Sequence, residues 1–273
     1  MRASQSEAQA YEYISSLVYD RCRVRLQAGK QHLIRSRLGQ RLRAHGLASM
    51  TDYCDFLRRQ PDETEITQVV DALTTNFTKF MRDRDHFEFM VAKALPAVLG
   101  PLERTFNVWS AASATGEEAY SIAFYLADHY PTAAGWDWQI LGTDISTRAL
   151  ATAQAGVYPM ERAHAVPKEW LRRYCQRGTG EYEGQFRIKP MISERVDFQP
   201  LNLLGAFPFP RPFSLIFCRN VMIYFDRPTR QQLITELSRQ LVPGGYLLVG
   251  HSETLLGLDL PFQCERPSIY RKL

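Results

Sequence analysis

A chain of 273 residues with 45% apolar and 23% charged content can bury a full α/β core and has room for a small second domain. Its net charge is only +4, which lends no support to a general nucleic-acid role. No run of about 18 apolar residues exists, so no membrane span is expected.

The N-terminus, Met1 to Glu7, has no apolar signal core, and a cytoplasmic protein is expected. Five cysteines lie scattered along the chain, with no CxxC pair and no Cys/His cluster of ligand spacing. We therefore expect reduced thiols and no metal.

Residues 8 to 74 read as helix throughout. Apolar residues recur at helical spacing in Tyr13, Ile14, Leu17 and Val18, then in Leu33, Ile34, Leu38 and Leu42. Asp52 to Arg59 and Glu65 to Leu73 give two further helices, with Thr51 and Asp62 as caps. The expectation is a helical bundle over 1–75, then a linker and a helix over 76–100, the helix running from Arg84 to Leu99. From 101 the pattern alternates. Strands are expected at Phe106–Ala112, Trp138–Thr143, Phe213–Cys218 and Gly245–Gly250. Helices are expected at Glu117–His129, Thr147–Ala155, Lys168–Cys175 and Thr229–Leu241. This predicts a doubly wound, mostly parallel sheet covered on both faces, with an antiparallel edge strand from the tail, Phe262 to Leu273. Gly178, Gly180 and Gly184 introduce short alternating runs between Tyr182 and Phe198. They predict a small antiparallel β insert at about 177–199.

The stretch from Val108 to Tyr120 carries the most information. An apolar run ends in small residues and Gly116, and Glu117 and Glu118 open a helix. Small side chains at the carboxyl end of a strand let a ligand press against the backbone, where open α/β sheets bind nucleotides. Acid at the helix start disfavours a phosphate. A nucleoside carrying positive charge suits the site better. Asp144 ends the second strand, 26 residues after Glu118, where an acid can accept from ribose hydroxyls or can cap the helix at Thr147. Asn202 and Leu203 follow the next strand, and turn chemistry alone would also place an Asn there. Phe217 to Phe225 runs a very apolar strand into Arg219 and Asn220, then an apolar segment with Tyr224. A charge there must be paired or used. Arg21 to Arg43 holds eight basic residues and no acid, with Lys30, Arg37 and Arg41 on one helical strip. The strip reads as a solvated face or as a docking surface for an acidic helix; nucleic acid is a weaker alternative, because the patch is short and has no interleaved aromatic residues.

Together these stretches resemble the chemotaxis receptor methyltransferases, the CheR family, over nearly the whole chain. The motifs are Thr75-Asn76-x-Thr78-x-Phe80-x-Arg82, Trp109-Ser110-Ala111-Ala112-x-x-Thr115-Gly116-Glu117-Glu118, Asn202-Leu203-Leu204 and Phe217-Cys218-Arg219-Asn220-Val221-x-Ile223-Tyr224-Phe225, with Gly250-His251-Ser252-Glu253 near the end. Lys79 and Met81 depart from the more apolar and aromatic residues usual in the first motif. The resemblance implies a Rossmann-like methyltransferase domain with S-adenosylmethionine as cofactor and S-adenosylhomocysteine as product. It implies glutamates on the cytoplasmic helices of chemoreceptors as the methyl acceptors, in the service of adaptation. Asn76, Thr78 and Arg82 would contact the methionine end of the cofactor and the reacting zone. Glu118 would bind near the charged amino-acid part, Asp144 the ribose, and Asn202 and Leu203 the adenine side. Arg219 and Asn220 would close the pocket, with Tyr224 near the methyl group. Arg82 and Tyr224 would serve the reaction, and Lys30, Arg37 and Arg41 would guide the receptor. Gly178, Gly180 and Gly184 resemble the subdomain of members that dock a receptor's C-terminal peptide, and this reading is favoured over a plain structural hairpin. We expect a monomer that binds neither nucleic acid nor membrane. An RNA or small-molecule methyltransferase, or a cofactor-bound sensor without catalysis, remains a rival. A dinucleotide dehydrogenase is disfavoured, because the turn lacks G-x-G-x-x-G.

Overall fold

The computed structural model describes residues 2–26, 29, 31–60 and 62–273, with side chains from residue 7 onward. Two compact units result: Met1–Thr75 with Tyr224–Asp226, and Asn76–Ile223 with Arg227–Leu273.

The helical unit holds α1 (Arg2–Cys22), α2 (Gln31–Ala44), α3 (Met50–Arg59) and α4 (Glu63–Leu73). Ile14, Val18, Leu38, Tyr53 and Val69 are fully buried, as the 3.6-residue spacing requires. Ser49, and not Thr51, caps α3: its hydroxyl accepts from Asp52 N, and Asp52 returns the bond in a capping box. Asp62 caps α4 as expected, accepting from Thr64 N at 3.0 Å. A buried carboxylate, Glu65, ties the bundle together by accepting from Tyr53, Arg41 and His45.

The sheet unit opens with α5 (Arg84–Phe89), a π turn (Met90–Ala94) and α6 (Leu95–Val98), which together form the helix expected up to Leu99. Pro96 has no N–H for the carbonyl four residues back, and the helix widens just before it. Then come β1 (Thr105–Ala111), α7 (Glu117–His129), β2 (Asp137–Asp144), α8 (Thr147–Ala155), β3 (Val157–Pro159), α9 (Lys168–Tyr174), β4 (Cys175–Arg177) and β5 (Gln185–Ile188). The chain continues through α10 (Pro190–Ser193), β6 (Val196–Pro200), β7 (Phe213–Cys218), α11 (Arg227–Arg239), β8 (Leu241–Val249), β9 (Phe262–Arg266) and β10 (Ile269–Lys272).

The main sheet runs in the order β6-β2-β1-β7-β8-β10-β9, and β10 pairs antiparallel with both neighbours. The chain winds outward from β1 through β2 to β6, then crosses to β7 on the other side of β1. That reversal opens a crevice between the carboxyl ends of β1 and β7, the usual ligand place in such sheets. Every residue of β7 is buried, so the strand reads as one apolar run.

Two expectations need correction. The β insert is a three-stranded sheet in the order β3-β5-β4, so it begins near residue 157. Val196–Pro200, assigned to the insert, pairs parallel with β2 in the main sheet. The last parallel strand starts at Leu241, not Gly245: Pro243-Gly244 reads as a turn but is absorbed as an irregularity in the pairing of β7 with β8, with Gly244 at φ 74°.

The small sheet is anchored by rings. Phe80 packs on Phe124 of α7 at 6.2 Å, on Tyr158 at 5.1 Å and on Phe186 at 5.8 Å. The same ring fixes the segment that leads from Asn76 to Asp83.

Candidate active site

The turn after β1 is built under backbone strain. Ala112, Ala114 and Gly116 have φ of 67°, 49° and 92°. Left-handed geometry costs an alanine about 1–2 kcal/mol, which the surrounding bonds must offset. Ser113 N donates to Thr143 O at 2.8 Å, and Ala114 N donates to the Asp144 carboxylate at 2.8 Å. A Cβ on Gly116 would stand 2.7 Å from Ala153 Cβ, so only glycine lets α7 approach α8 here.

Asp144 is not the cap of α8. Ser146 is, accepting from Ala149 N, while the second Asp144 oxygen accepts from Ser146 N at 2.9 Å. The Asp144 carboxylate thus already takes one of the turn's amides, Ala114 N, and its negative charge beside the turn disfavours a phosphate there.

Arg219, at the end of β7, is the hub of the crevice. It is 4% exposed. Its Nη1 donates to Glu118 at 3.1 Å, and its Nη2 donates to Arg82 O at 2.8 Å and to Asp83. Ser110 Oγ donates to the other Glu118 oxygen at 2.7 Å. Burial raises the Glu118 pKa, against the pull of Arg219 and Ser110. Burial also pushes on Asp83, but the charge and hydrogen bond of Arg219 hold its carboxyl below the usual range. One guanidinium therefore serves two carboxylates, and Glu118 keeps a partly open face (12% exposed) where an added cation would find an acceptor.

Glu117 has different partners. Fully buried, it accepts from Thr115 Oγ1 at 2.6 Å and pairs with Arg162, while Tyr158 donates to Thr115 O. Of the two acids, Glu118 is the one that meets Arg219.

Asn76, Thr78 and Arg82 are half-buried on the segment anchored by Phe80. Met81 and Asp83 have φ of 58° and 52°, and Met81 N donates to Ser121 Oγ at 3.0 Å. Arg82 reaches Phe77 O at 3.5 Å, and among the described residues most of its donors have no other acceptor. Lys79 is exposed and Met81 buried. Asn202 closes its own turn, with its side-chain oxygen accepting from Leu204 N at 3.1 Å; Leu203 is buried. Asn220 follows Arg219 at φ 60°.

The remaining expected residues lie elsewhere. Tyr224 ends a 3-10 turn, Met222–Tyr224, and groups with the helical unit. Lys30 lies outside the described residues. Arg37 donates to Leu73 O at 2.9 Å and Thr74 O at 3.1 Å, closing the end of α4, and Arg41 pairs with Glu65. Gly178 has a packing reason of its own, since a Cβ there would meet Tyr182 O at 2.0 Å; Gly180 and Gly184 sit at φ 61° and 80° with open space beside them.

Sequence reasoning gave no role to Asp83, His86 or Glu253. Asp83, His86 and His251 bring possible ligand atoms within 4.8 Å of one another. A cation there would share Asp83 with the Arg219 charge. His86 is fully buried; its Nε2 lies 2.8 Å from Ser268 Oγ, and its Nδ1 has no partner. Burial first, then Arg219 and His251, push its pKa down to about 3, against Asp83 and Asp85. Below pH about 6.5 the unfolded chain binds a proton that the folded chain refuses, so stability falls as pH drops toward 3. Between pH 6.5 and 5 the slope is expected to approach 1.4 kcal/mol per unit. Urea unfolding of His86→Gln should show a flatter profile there, and an unchanged profile would contradict the assignment.

A family profile described as CheR methyltransferase, SAM binding domain, matches residues 76–270, and one described as CheR methyltransferase, all-alpha domain, matches residues 9–74. The chain is 39% identical over 263 residues to a chemotaxis protein methyltransferase of Klebsiella aerogenes, covering 95% of this chain and 88% of the relative. It is 38% identical over 261 residues to that of Escherichia coli, covering 95% and 89%. To that of Borreliella burgdorferi it is 35% identical over 262 residues, covering 94% and 91%.

The crevice fits S-adenosylmethionine, which carries a cationic sulfur and no phosphate. The strained turn bonds a carboxylate of the chain, and Glu118 offers a partly open acid beside it. Matched over nearly its whole length, the chain belongs to the CheR methyltransferase family and is an S-adenosylmethionine-dependent chemotaxis protein methyltransferase.

Proposed function

We propose that this chain esterifies glutamate side chains on the cytoplasmic helices of chemoreceptors, adjusting their signalling in adaptation. The observation that carries the reading is the Asp83–Arg219–Glu118 network at the sheet's reversal point, with the Asn76–Asp83 segment bonded to it through the Arg82 carbonyl. Bound S-adenosylmethionine supplies an electrophilic methyl group. Glu118 would accept from its ammonium end and Asp144 from the ribose. Asn202 and Leu203 would flank the adenine, and Arg219 and Asn220 would close the pocket. Asn76 and Thr78 would face the methionine end.

A glutamate carboxylate, with a pKa of about 4.3, is already ionised at neutral pH and needs no general base. What the chain must do is align the carboxylate oxygen and strip water from it. Arg82, with donors to spare, would steer that carboxylate without binding it so tightly that the ground state wins. Tyr224 would orient the reacting end.

The basic strip of α2 would guide the acidic receptor helices by charge. Arg37 and Arg41 also hold their own unit together, so their part is a field more than a contact; Lys30 would add to it. The edges of the small sheet, with Gly178, Gly180 and Gly184 at its turns, would take an extended receptor C-terminal peptide as an added strand. The chain would act as a monomer in the cytoplasm.

Replacing Arg82 by alanine should lower the turnover of a receptor fragment about tenfold, by loss of orientation. Calorimetric affinity for S-adenosylhomocysteine should change far less. Turnover equal to the wild type would remove Arg82 from the mechanism.

A further inference from the structure

Glu253 lies in the turn after β8, remote in sequence from Arg219 and Asn220. Its side chain is nevertheless what holds their backbone. One carboxylate oxygen accepts from Gly250 N at 2.6 Å and from Asn220 N at 2.8 Å; the other accepts from Ile223 N at 3.2 Å. The residue is 7% exposed, and among the described residues no lysine, arginine or histidine forms an ion pair with it. A buried carboxylate held by backbone N–H groups acts as an internal anchor for the loop that supplies them.

A second observation points the same way. Asn220 has φ 60°, a conformation asparagine tolerates but must be held in. A Cβ on Gly250 would stand 2.5 Å from Asn220 Nδ2 and 2.8 Å from Glu253 Oε2. The Asn220 amide therefore lies directly over the Gly250 backbone. Glu253 fixes the main chain of this turn and Gly250 seats its side chain.

We propose that Glu253 is a positioning residue for cofactor binding: its buried carboxylate, bonded to three backbone N–H groups, fixes the Arg219–Asn220 turn at the cofactor crevice. The inference rests on the reading above of Arg219 and Asn220 as cofactor contacts. A glutamine at 253 keeps one acceptor oxygen and turns an NH2 toward at least one backbone donor, so the turn loosens while the volume is kept.

The test compares Glu253→Gln, Gly250→Ala and Leu237→Ala. Leu237, fully buried in α11, serves as a destabilised control away from the crevice. Glu253→Gln should bind S-adenosylhomocysteine about tenfold more weakly by calorimetry, with the KM for S-adenosylmethionine raised in step and kcat changed much less. Gly250→Ala should lose affinity similarly, and it decides the matter if Glu253→Gln fails to fold. Leu237→Ala should lower the melting temperature and leave affinity unchanged. Affinity within twofold of wild type in the folded variants would overturn the proposal. Failure of the wild-type chain itself to bind S-adenosylhomocysteine would instead overturn the reading on which it rests.

Discussion

Replacing Arg219 by methionine is expected to destabilise the sheet unit by about 3–5 kcal/mol, because it leaves two largely buried carboxylates without their counter-charge. Arg219 is almost wholly enclosed and bridges Asp83, Glu118 and the Arg82 carbonyl through its two terminal nitrogens. Lysine carries the charge but not the planar fork, so Arg219→Lys should recover only part of the loss. The pH dependence gives a check. Burial already raises the Glu118 pKa, and removing Arg219 takes away the main opposing influence. With the folded pKa above the unfolded value, the folded state binds the extra proton, so stability falls as pH rises through that interval. The deficit of Arg219→Met should therefore shrink on acidification toward pH about 4.3. A variant as stable as wild type at pH 7 in urea unfolding would show that the network contributes nothing net.

Asp144→Asn should weaken S-adenosylhomocysteine binding by about a hundredfold, roughly 2.7 kcal/mol. Its two oxygens accept from Ala114 N and Ser146 N, and an asparagine can offer an acceptor to only one of them. The strained turn from Ala112 to Gly116 would then lose a strap, and on the proposed reading the ribose hydroxyls would lose a charged acceptor. Ser146→Ala separates binding from helix capping. It removes the cap of α8 at a cost of about 1 kcal/mol and should leave affinity nearly unchanged. Equal losses of affinity in the two variants would reduce Asp144 to a structural role.

Much of this architecture is legible in the chain because the signals are local. Phe213–Cys218 is buried at every position, and α7 and α8 begin and end where the pattern places them. The acid at the end of β2 was recognisable, though its backbone partners were not. Legibility fails where a local signal competes with a distant partner. Pro243-Gly244 announces a turn, yet pairing with β7 draws it into a strand. Val157–Pro159 is too short to show a period and exists because β5 pairs with it. Glu253 stands in a recognisable motif, but its role does not show there, since two of its bonds go to amides 30 and 33 residues earlier. His86 looks like one more polar residue on a helix, and only the fold reveals that it is fully enclosed.

The most direct measurement is transfer of a labelled methyl group from S-adenosylmethionine to a purified chemoreceptor cytoplasmic fragment, run beside total RNA. A carboxylate acceptor forms an ester, so the label should appear on the fragment, be released as methanol by mild alkali, and be absent from RNA. Label stable to alkali, label on RNA, or no transfer by a folded chain that binds S-adenosylhomocysteine would contradict the account.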